Sequence, residues 1–406
     1  MITRRDFVVG GLAAAGAGLV VPPVLAKSVL AANLDGMQND RVLVVLQMQG
    51  GNDGLNTVVP FTDPAYRSAR PSLALPDSQL LPITSDTALH ASLPNLKKLF
   101  DAGQLAVVQG VGYPQPTYSH FEGMYVWQHA DPSRERTEGW LGDWLAAQLD
   151  AAGHPLTACA LGEVTTPPEL SAPTATVSVI DAVADYRLRG DSSEMASAPA
   201  LYRNTPGAYG VLFDQALSTA QTGIGELQHT QAAYKPAVAY PSAADGGTLS
   251  ASLQLTASLI ATQPSVKVCH VLIGGFDTHQ NELARQSALL AQLDKSLSAF
   301  LADLAAHGQA QRTVVMSWSE FGRRIAENGS GGTDHGAAAP LFVAGAPVRG
   351  GLYGEAPSLT STVDSGNLKY TVDFRSVYQA MIRDWLQADA TQLLGGTYPE
   401  LSLLRV

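Results

Sequence analysis

The chain has 406 residues, a formal charge of −11 at pH 7 and a hydrophobic fraction of 46%. Those values suit one large α/β domain or two smaller ones with a sizeable core. An acidic chain without a basic block lacks the clustered positive footprint of a nucleic-acid binder, so no nucleic-acid partner is expected.

The N-terminus carries Arg4-Arg5 within Thr-Arg-Arg-Asp-Phe, and Phe7 to Ala26 is a Gly/Ala-rich apolar run ending in Val24-Leu25-Ala26. This reads as a twin-arginine export signal over residues 1–26, with the export machinery as a partner and a periplasmic or secreted destination. An uncleaved membrane anchor is the alternative, and Pro22-Pro23 and the many glycines argue against it. The signal holds Arg4, Arg5 and Asp6, a net +1, so the mature chain is near −12. Nothing else approaches the roughly 20 consecutive apolar residues of a membrane span. Twin-arginine routes carry folded proteins, often with a cofactor inserted, which suits a metalloprotein.

Arg41 to Met48 (RVLVVLQM) is a strand-length apolar run of the kind buried on both faces of a sheet. It breaks into a glycine-rich turn that presents Asn52, Asp53 and Asn56, although Asn, Asp and Gly also populate such turns for conformational reasons alone. His90 to Asp101 reads as a short amphipathic helix and Leu105 to Gly110 as a second buried strand. A loop with two prolines then leads through Thr117, Ser119 and His120 into a helix from Glu122 to about His129. Ser119 thus falls near a helix N-terminus, where free N–H groups favour an anion, and where Ser119 or Thr117 equally serves as a cap.

Gly139 to Ala151 has helical periodicity. From Pro155 to about Gly246 the pattern is less regular, with a strand at Thr176 to Ile180 and helical signals around Ala208 to Tyr234, so residues 155–246 are a candidate cap or insertion in a single domain spanning 27–406. A helix at about Thr248 to Thr262 precedes the strand Val266 to Ile273, which ends in Gly274-Gly-Phe-Asp-Thr-His279. Asp277 and His279 are two apart, so in extended backbone both point the same way and make a ligand pair for a divalent metal. After a long helix from Glu282 to His307, the strand Val314 to Met316 leads to Glu320, then Arg323 and Arg324, a glycine-rich turn, and Asp334-His335. Leu341 to Gly345 is a further strand, Gly350 to Gly354 a turn, and Thr371 to Leu386 a closing helix. Cys159 and Cys269 lie far apart, and a disulfide or two buried thiols are both open.

Strands alternate with helices throughout, which predicts a mostly parallel sheet with helices on both faces. Asp53, Ser119, Asp277, His279, Glu320 and His335 all follow strand-like runs, and in a parallel sheet those ends converge on one edge.

The segments GGNDGLNTVVP (50–60), DPAYRSARPSLAL (63–75), LAVVQGVGYPQPTYSHF (105–121), GGFDTHQ (274–280), SEFGRRIAENGSGGTDHG (319–336), GGLYG (350–354) and TVDFRSVY (371–378) together resemble the DUF1501 family. These are exported bacterial proteins placed in the alkaline-phosphatase-like superfamily of phosphatases and sulfatases. The resemblance implies a three-layer α/β/α sandwich with a mostly parallel mixed sheet, alkaline-phosphatase-like in fold. It also implies one or two divalent metal ions (Zn, Mn, Ca or Mg) beside a nucleophile, and a small anionic ester as substrate. By that likeness Asp53, Asp277, His279, Glu320 and His335 are the expected metal ligands, and Ser119 is the expected nucleophile with Thr117 in reserve. Asn52, His120 and Arg323 are expected at the substrate, and Arg324 or Arg136 as a further clamp on the oxyanion. Phe321 stands where the superfamily places a metal-binding histidine, which leaves one metal a ligand short unless Asp334 or His120 takes the place.

The implied function is hydrolysis of phosphate or sulfate esters. The alternatives are a non-catalytic exported binding or assembly protein on the same scaffold, and a metal-free serine hydrolase using Ser119 with His335 or His120. No G-x-S-x-G elbow surrounds Ser119, so the last ranks lowest.

Overall fold

The computed structural model describes residues 40–148, 154–173, 175, 177–181, 208–364 and 366–405. The export signal and residues 182–207 of the candidate cap lie outside the described residues. Among the described residues nine strands form the main sheet: β1 (Val42–Met48), β2 (Leu105–Gly112), β3 (Ala158–Leu161), β4 (Ser178–Ile180), β5 (Val268–Ile273), β6 (Thr313–Trp318), β7 (Ala339–Ala344), β8 (Gly351–Tyr353) and β9 (Val372–Asp373). Their order is β8-β2-β7-β6-β1-β5-β3-β4, with β9 also beside β2. Every pairing is parallel except those of β7, which runs against both β2 and β6.

Alternation along β1 explains the layers, because successive side chains of a strand face opposite sides. Leu43 and Val45 join one core with Trp127 of α2 (His120–His129), Trp140 and Trp144 of α3 (Trp140–Gln148), and Phe374 and Tyr378 of α6 (Phe374–Ala380). Val42, Val44, Leu46 and Met48 join a second core with Leu96 of α1 (Pro94–Asp101), Leu253 of α4 (Ala243–Thr262), and Leu290 and Phe300 of α5 (Glu282–Ala306). The sheet is therefore sandwiched between two helical layers. Each fully buried aliphatic or aromatic side chain is worth roughly 1.5–3 kcal/mol, so the two cores, not local propensity, hold the sheet.

Several boundaries differ from the sequence pattern. His90 belongs to a short strand, Ala88–His90, and the helix starts at Pro94, whose ring suits a first helical position. Gly350 to Gly354 contains strand β8, because Gly351–Tyr353 pairs with Ala106–Val108. The closing helix begins at Phe374, capped by Asp373, and widens to a π turn over Met381–Trp385. Within the candidate cap range, β3 and β4 lie in the main sheet. Cys159 and Cys269 face each other in register as free, buried thiols. Burial pushes the Cys269 thiol up to about 12 and Cys159 well above its ordinary value. No described helix is long and apolar enough to cross a membrane.

The parallel register aligns the strand ends that matter. Met48 lies opposite Ile273, and Gln47 lies opposite Trp318, so β1, β5 and β6 finish side by side. Gly50 then crosses directly over the β5 loop with φ +120°, and a Cβ there would stand 2.4 Å from the Asp277 backbone nitrogen. Only glycine permits both the left-handed backbone and that approach.

Candidate metal centre

Three imidazoles and one carboxylate meet where these strand ends converge. His120 is the first residue of α2, Asp277 and His279 lie on the β5 loop, and His335 lies on the loop between β6 and β7. His279 Nε2 is 3.0 Å and His335 Nε2 is 3.2 Å from Asp277 Oδ1. The two Nε2 atoms are 2.9 Å apart, and His120 Nε2 is 3.6 Å from Asp277 Oδ2. The donor atoms of His120, Asp277 and His335 all lie within 4.8 Å of one another.

The other ring nitrogen of each histidine decides what those Nε2 atoms present. His335 Nδ1 sits 2.7 Å from the Tyr118 carbonyl oxygen, His120 Nδ1 sits 2.8 Å from Glu320 Oε1, and His279 Nδ1 sits 3.2 Å from Asp334 Oδ1. All three oxygens are acceptors, so each Nδ1 carries a hydrogen, and in a neutral ring the Nε2 that faces Asp277 is then the lone-pair nitrogen. Two lone pairs 2.9 Å apart repel unless a proton or a cation lies between them. A tetrahedral zinc with Zn–N of about 2.0–2.1 Å has donor–donor edges of about 3.3 Å, close to the separations here. His120, Asp277 and His335 fit a borderline divalent cation in donor type and spacing, and His279 Nε2 lies beside them, 2.9 Å from that of His335.

Burial raises the Asp277 carboxyl, but the Arg323 hydrogen bond at 2.7 Å and its charge outweigh that and hold it down to about 2. The Glu320 hydrogen bond pushes His120 up against the opposing effect of burial, while burial pushes His335 down. Phe321 packs on the cluster as an apolar wall, 4.4 Å from the His335 ring and 4.9 Å from that of His120.

The structure brings Asp277, His279, His335 and His120 together, so His120, expected at the substrate or as a replacement ligand, lies beside three of the expected metal ligands. The remaining expected residues are placed otherwise. Glu320 is wholly buried and touches the cluster only through His120, its Oε1 also accepting the Gly50 N–H at 2.9 Å. Asp53, expected as a ligand, has both oxygens on the Arg70 guanidinium at 2.5 and 2.8 Å. Asn52 is buried, its side-chain oxygen accepting from Thr57 and Gln286. Arg323, expected at the substrate, is spent internally: it donates to the carbonyls of Gly50, Gly51, Phe276 and Thr333 and to Asp277, tying three loops together. Arg136 is likewise paired with Asp143 and the Leu393 carbonyl.

Ser119 is the N-cap residue of α2, yet its side chain makes no capping hydrogen bond. Its hydroxyl is free beside amides that have no intrahelical partner. Thr117 is engaged with Glu122 at 2.6 Å.

Sequence reasoning did not single out the supports. Arg70 also donates to the carbonyls of Arg324 and Ile325, linking Asp53 to the loop that carries His335. Glu282, the first residue of α5, accepts the Thr333 hydroxyl at 2.5 Å. Burial and the neighbouring Asp53 carboxylate push the Glu282 carboxyl up to about 9, whereas Arg70 holds Asp53 below its ordinary value in spite of burial. A lone arginine before Pro71 and an acid opening an amphipathic helix carry no periodic signal. The Tyr118 carbonyl, being backbone, carries no residue-type signal at all.

The family model described as "Protein of unknown function (DUF1501)" matches residues 108–382, more than half of the sequence. The chain belongs to the DUF1501 family. No curated protein matches it. Among solved structures it is similar to a protein in the alkaline phosphatase superfamily from Vibrio parahaemolyticus, at 11% identity over 92% of this chain and 76% of that one, TM-score 0.41. Alkaline phosphatase from the Antarctic bacterium TAB5 is 11% identical over 77% of this chain and 94% of its own, TM-score 0.35. The lipoteichoic acid synthase LtaP from Listeria monocytogenes is 10% identical over 92% of this chain and 79% of its own, TM-score 0.37. Likeness this remote does not bear on chemistry, which is read from this family member's own residues.

Proposed function

We propose that the protein is an exported, metal-dependent hydrolase of phosphate or sulfate esters, with His120, Asp277, His279 and His335 as the cation's ligand set. The observation that supports this most is the convergence of three Nε2 atoms on Asp277, each ring held by an oxygen at Nδ1. A divalent cation bound there would supply Lewis acidity toward an ester oxygen. Asp53 and Glu320 are left out of the ligand set because Arg70 takes both oxygens of Asp53 and Glu320 reaches the cluster through His120 at Oε1.

Ser119 is the proposed nucleophile. Its hydroxyl would form a bond to phosphorus or sulfur as the alcohol departs, and water would then cleave the ester on Ser119. The N-terminal amides of α2 point at the place where the anion's charge would sit, and the helix dipole adds to them. Phe321 lines the cluster with carbon, which lowers the local dielectric and strengthens those interactions. Arg323 takes no part in binding; it holds Asp277 ionised and in place.

Elemental analysis of the purified mature protein tests the site, and a panel of phosphate mono- and diesters and sulfate esters tests the reaction. The expected outcome is about one equivalent of a divalent metal for a single four-donor site of this kind. Turnover of at least one ester class should fall by two orders of magnitude or more in Ser119→Ala, as for loss of a nucleophile. Less than about half an equivalent of metal in folded protein refutes the centre. Metal without turnover of any ester favours the non-catalytic reading, and turnover untouched by Ser119→Ala removes that residue from the reaction.

A further inference from the structure

Phe121 follows His120 in the first turn of α2 and is 84% exposed. The other two exposed large apolar side chains among the described residues are Leu283 and Val164. Leu283 lies in the first turn of α5, just beyond the loop that carries Asp277 and His279, and Val164 lies three residues past the end of β3. All three therefore stand at the carboxyl ends of parallel strands, the edge of the sheet that holds the cluster.

A small open cleft adjoins it, lined by Tyr113, Gln115, Pro116, Ala337, Lys369 and Tyr370, with mostly carbon at its surface. Ala337 is two residues from His335, and Pro116 is two residues from Tyr118, whose carbonyl orients the His335 ring. Two residues of chain span at most about 7 Å, so Ala337 and Pro116 bring one wall of the cleft near the cluster, none of whose donors lines it. The loop between β2 and α2 supplies one wall of the cleft, the donor His120 and the exposed Phe121 in succession.

We propose that the ester's alcohol is apolar, an alkyl or aryl group lying against Phe121 and within the cleft between Tyr113 and Tyr370 while the anionic head sits at the cluster. The inference rests on the hydrolase reading above and names the class of substrate for that site. A polar alcohol such as a sugar would meet a carbon-lined cleft with few groups to replace its lost hydrogen bonds to water. An apolar one gains from leaving water on both surfaces.

Calorimetric binding to the metal-loaded full chain carrying Ser119→Ala, so that esters persist, tests this. The probes are methyl and hexyl phosphate, methyl and hexyl sulfate, and inorganic phosphate and sulfate. The hexyl ester should bind at least about tenfold more tightly than its methyl counterpart, since each buried methylene contributes several-fold. Adding Phe121→Ser, at an exposed position, should cut that preference about threefold or more while leaving the methyl ester and the inorganic ion unchanged, because only apolar contact area is removed. Equal affinity for hexyl and methyl esters overturns the inference, as does a hexyl preference that survives both Phe121→Ser and Tyr370→Ser. Inorganic ions that bind with no chain-length preference overturn it alone. Failure of every probe, inorganic ions included, overturns the hydrolase reading with it.

Discussion

Replacing Glu320 by glutamine isolates the orientation of His120 from everything else in the centre. Glu320 Oε1 accepts the His120 Nδ1–H at 2.8 Å and the Gly50 N–H at 2.9 Å, and the side chain is wholly buried. Glutamine keeps the shape and an acceptor oxygen but removes the charge. A hydrogen bond to a charged group contributes about 1.5–3 kcal/mol and a neutral one about 0.5–1.5, so roughly 1–1.5 kcal/mol of support for the neutral, Nδ1-protonated ring is lost. That corresponds to about tenfold weaker cation binding, the lower end of what such supporting carboxylates deliver in metal sites. Zinc affinity is measured by chelator competition on folded wild type and Glu320→Gln, with circular dichroism to confirm that both fold alike. An affinity unchanged within about twofold would refute the reasoning, because the threshold lies well inside the expected tenfold loss. His120 would then not be a donor whose tautomer Glu320 sets.

Arg70→Met leaves Asp53 buried without its bidentate partner and should cost about 3–5 kcal/mol, read from the urea midpoint at constant slope; a loss below about 1 kcal/mol would show that the pair is not a structural strut. A second buried pair predicts a pH response. Burial raises the Glu169 carboxyl to about 8 and lowers the His270 imidazole, 3.2 Å away, to about 3. For Glu169 the unfolded chain releases its proton near 4.5 and the folded chain near 8, so its contribution is full below 4.5 and is lost as pH rises to 8. The swing is at most about 5 kcal/mol, and Glu169→Gln should flatten the fall of unfolding free energy across that window. For His270 the sign is opposite, with stability present above 6.5 and lost as pH falls toward 3. An unchanged pH slope in Glu169→Gln would mean that its carboxyl does not stay protonated in the fold.

The alternation of apolar strands and helices, and the position of chemistry-bearing residues just past strand ends, were legible because buried parallel strands need continuous apolar runs and parallel sheets align their carboxyl ends. That logic was enough to place Asp277, His279 and His335 on one edge, and the two-residue spacing in Asp-Thr-His put two donors on one side. Boundaries were less legible where pairing decided them: Gly351–Tyr353 is a strand only because β2 offers it an edge.

Which acids face the histidine cluster and which serve the scaffold was decided by tertiary structure. Asp53 and Asp277 both follow buried strands and look alike in sequence. Their neighbours distinguish them: Arg70, 17 residues further on, takes both oxygens of Asp53, whereas Arg323 takes only Oδ1 of Asp277, the oxygen that His279 and His335 also approach, and leaves Oδ2 to His120. Likewise Glu320 and His120 are 200 residues apart, and only folding makes one the support of the other. Sequence determines which donors exist and which edge of the sheet they reach. Their first contacts, set by long-range packing and by backbone carbonyls without residue identity, determine which of them remain free to bind.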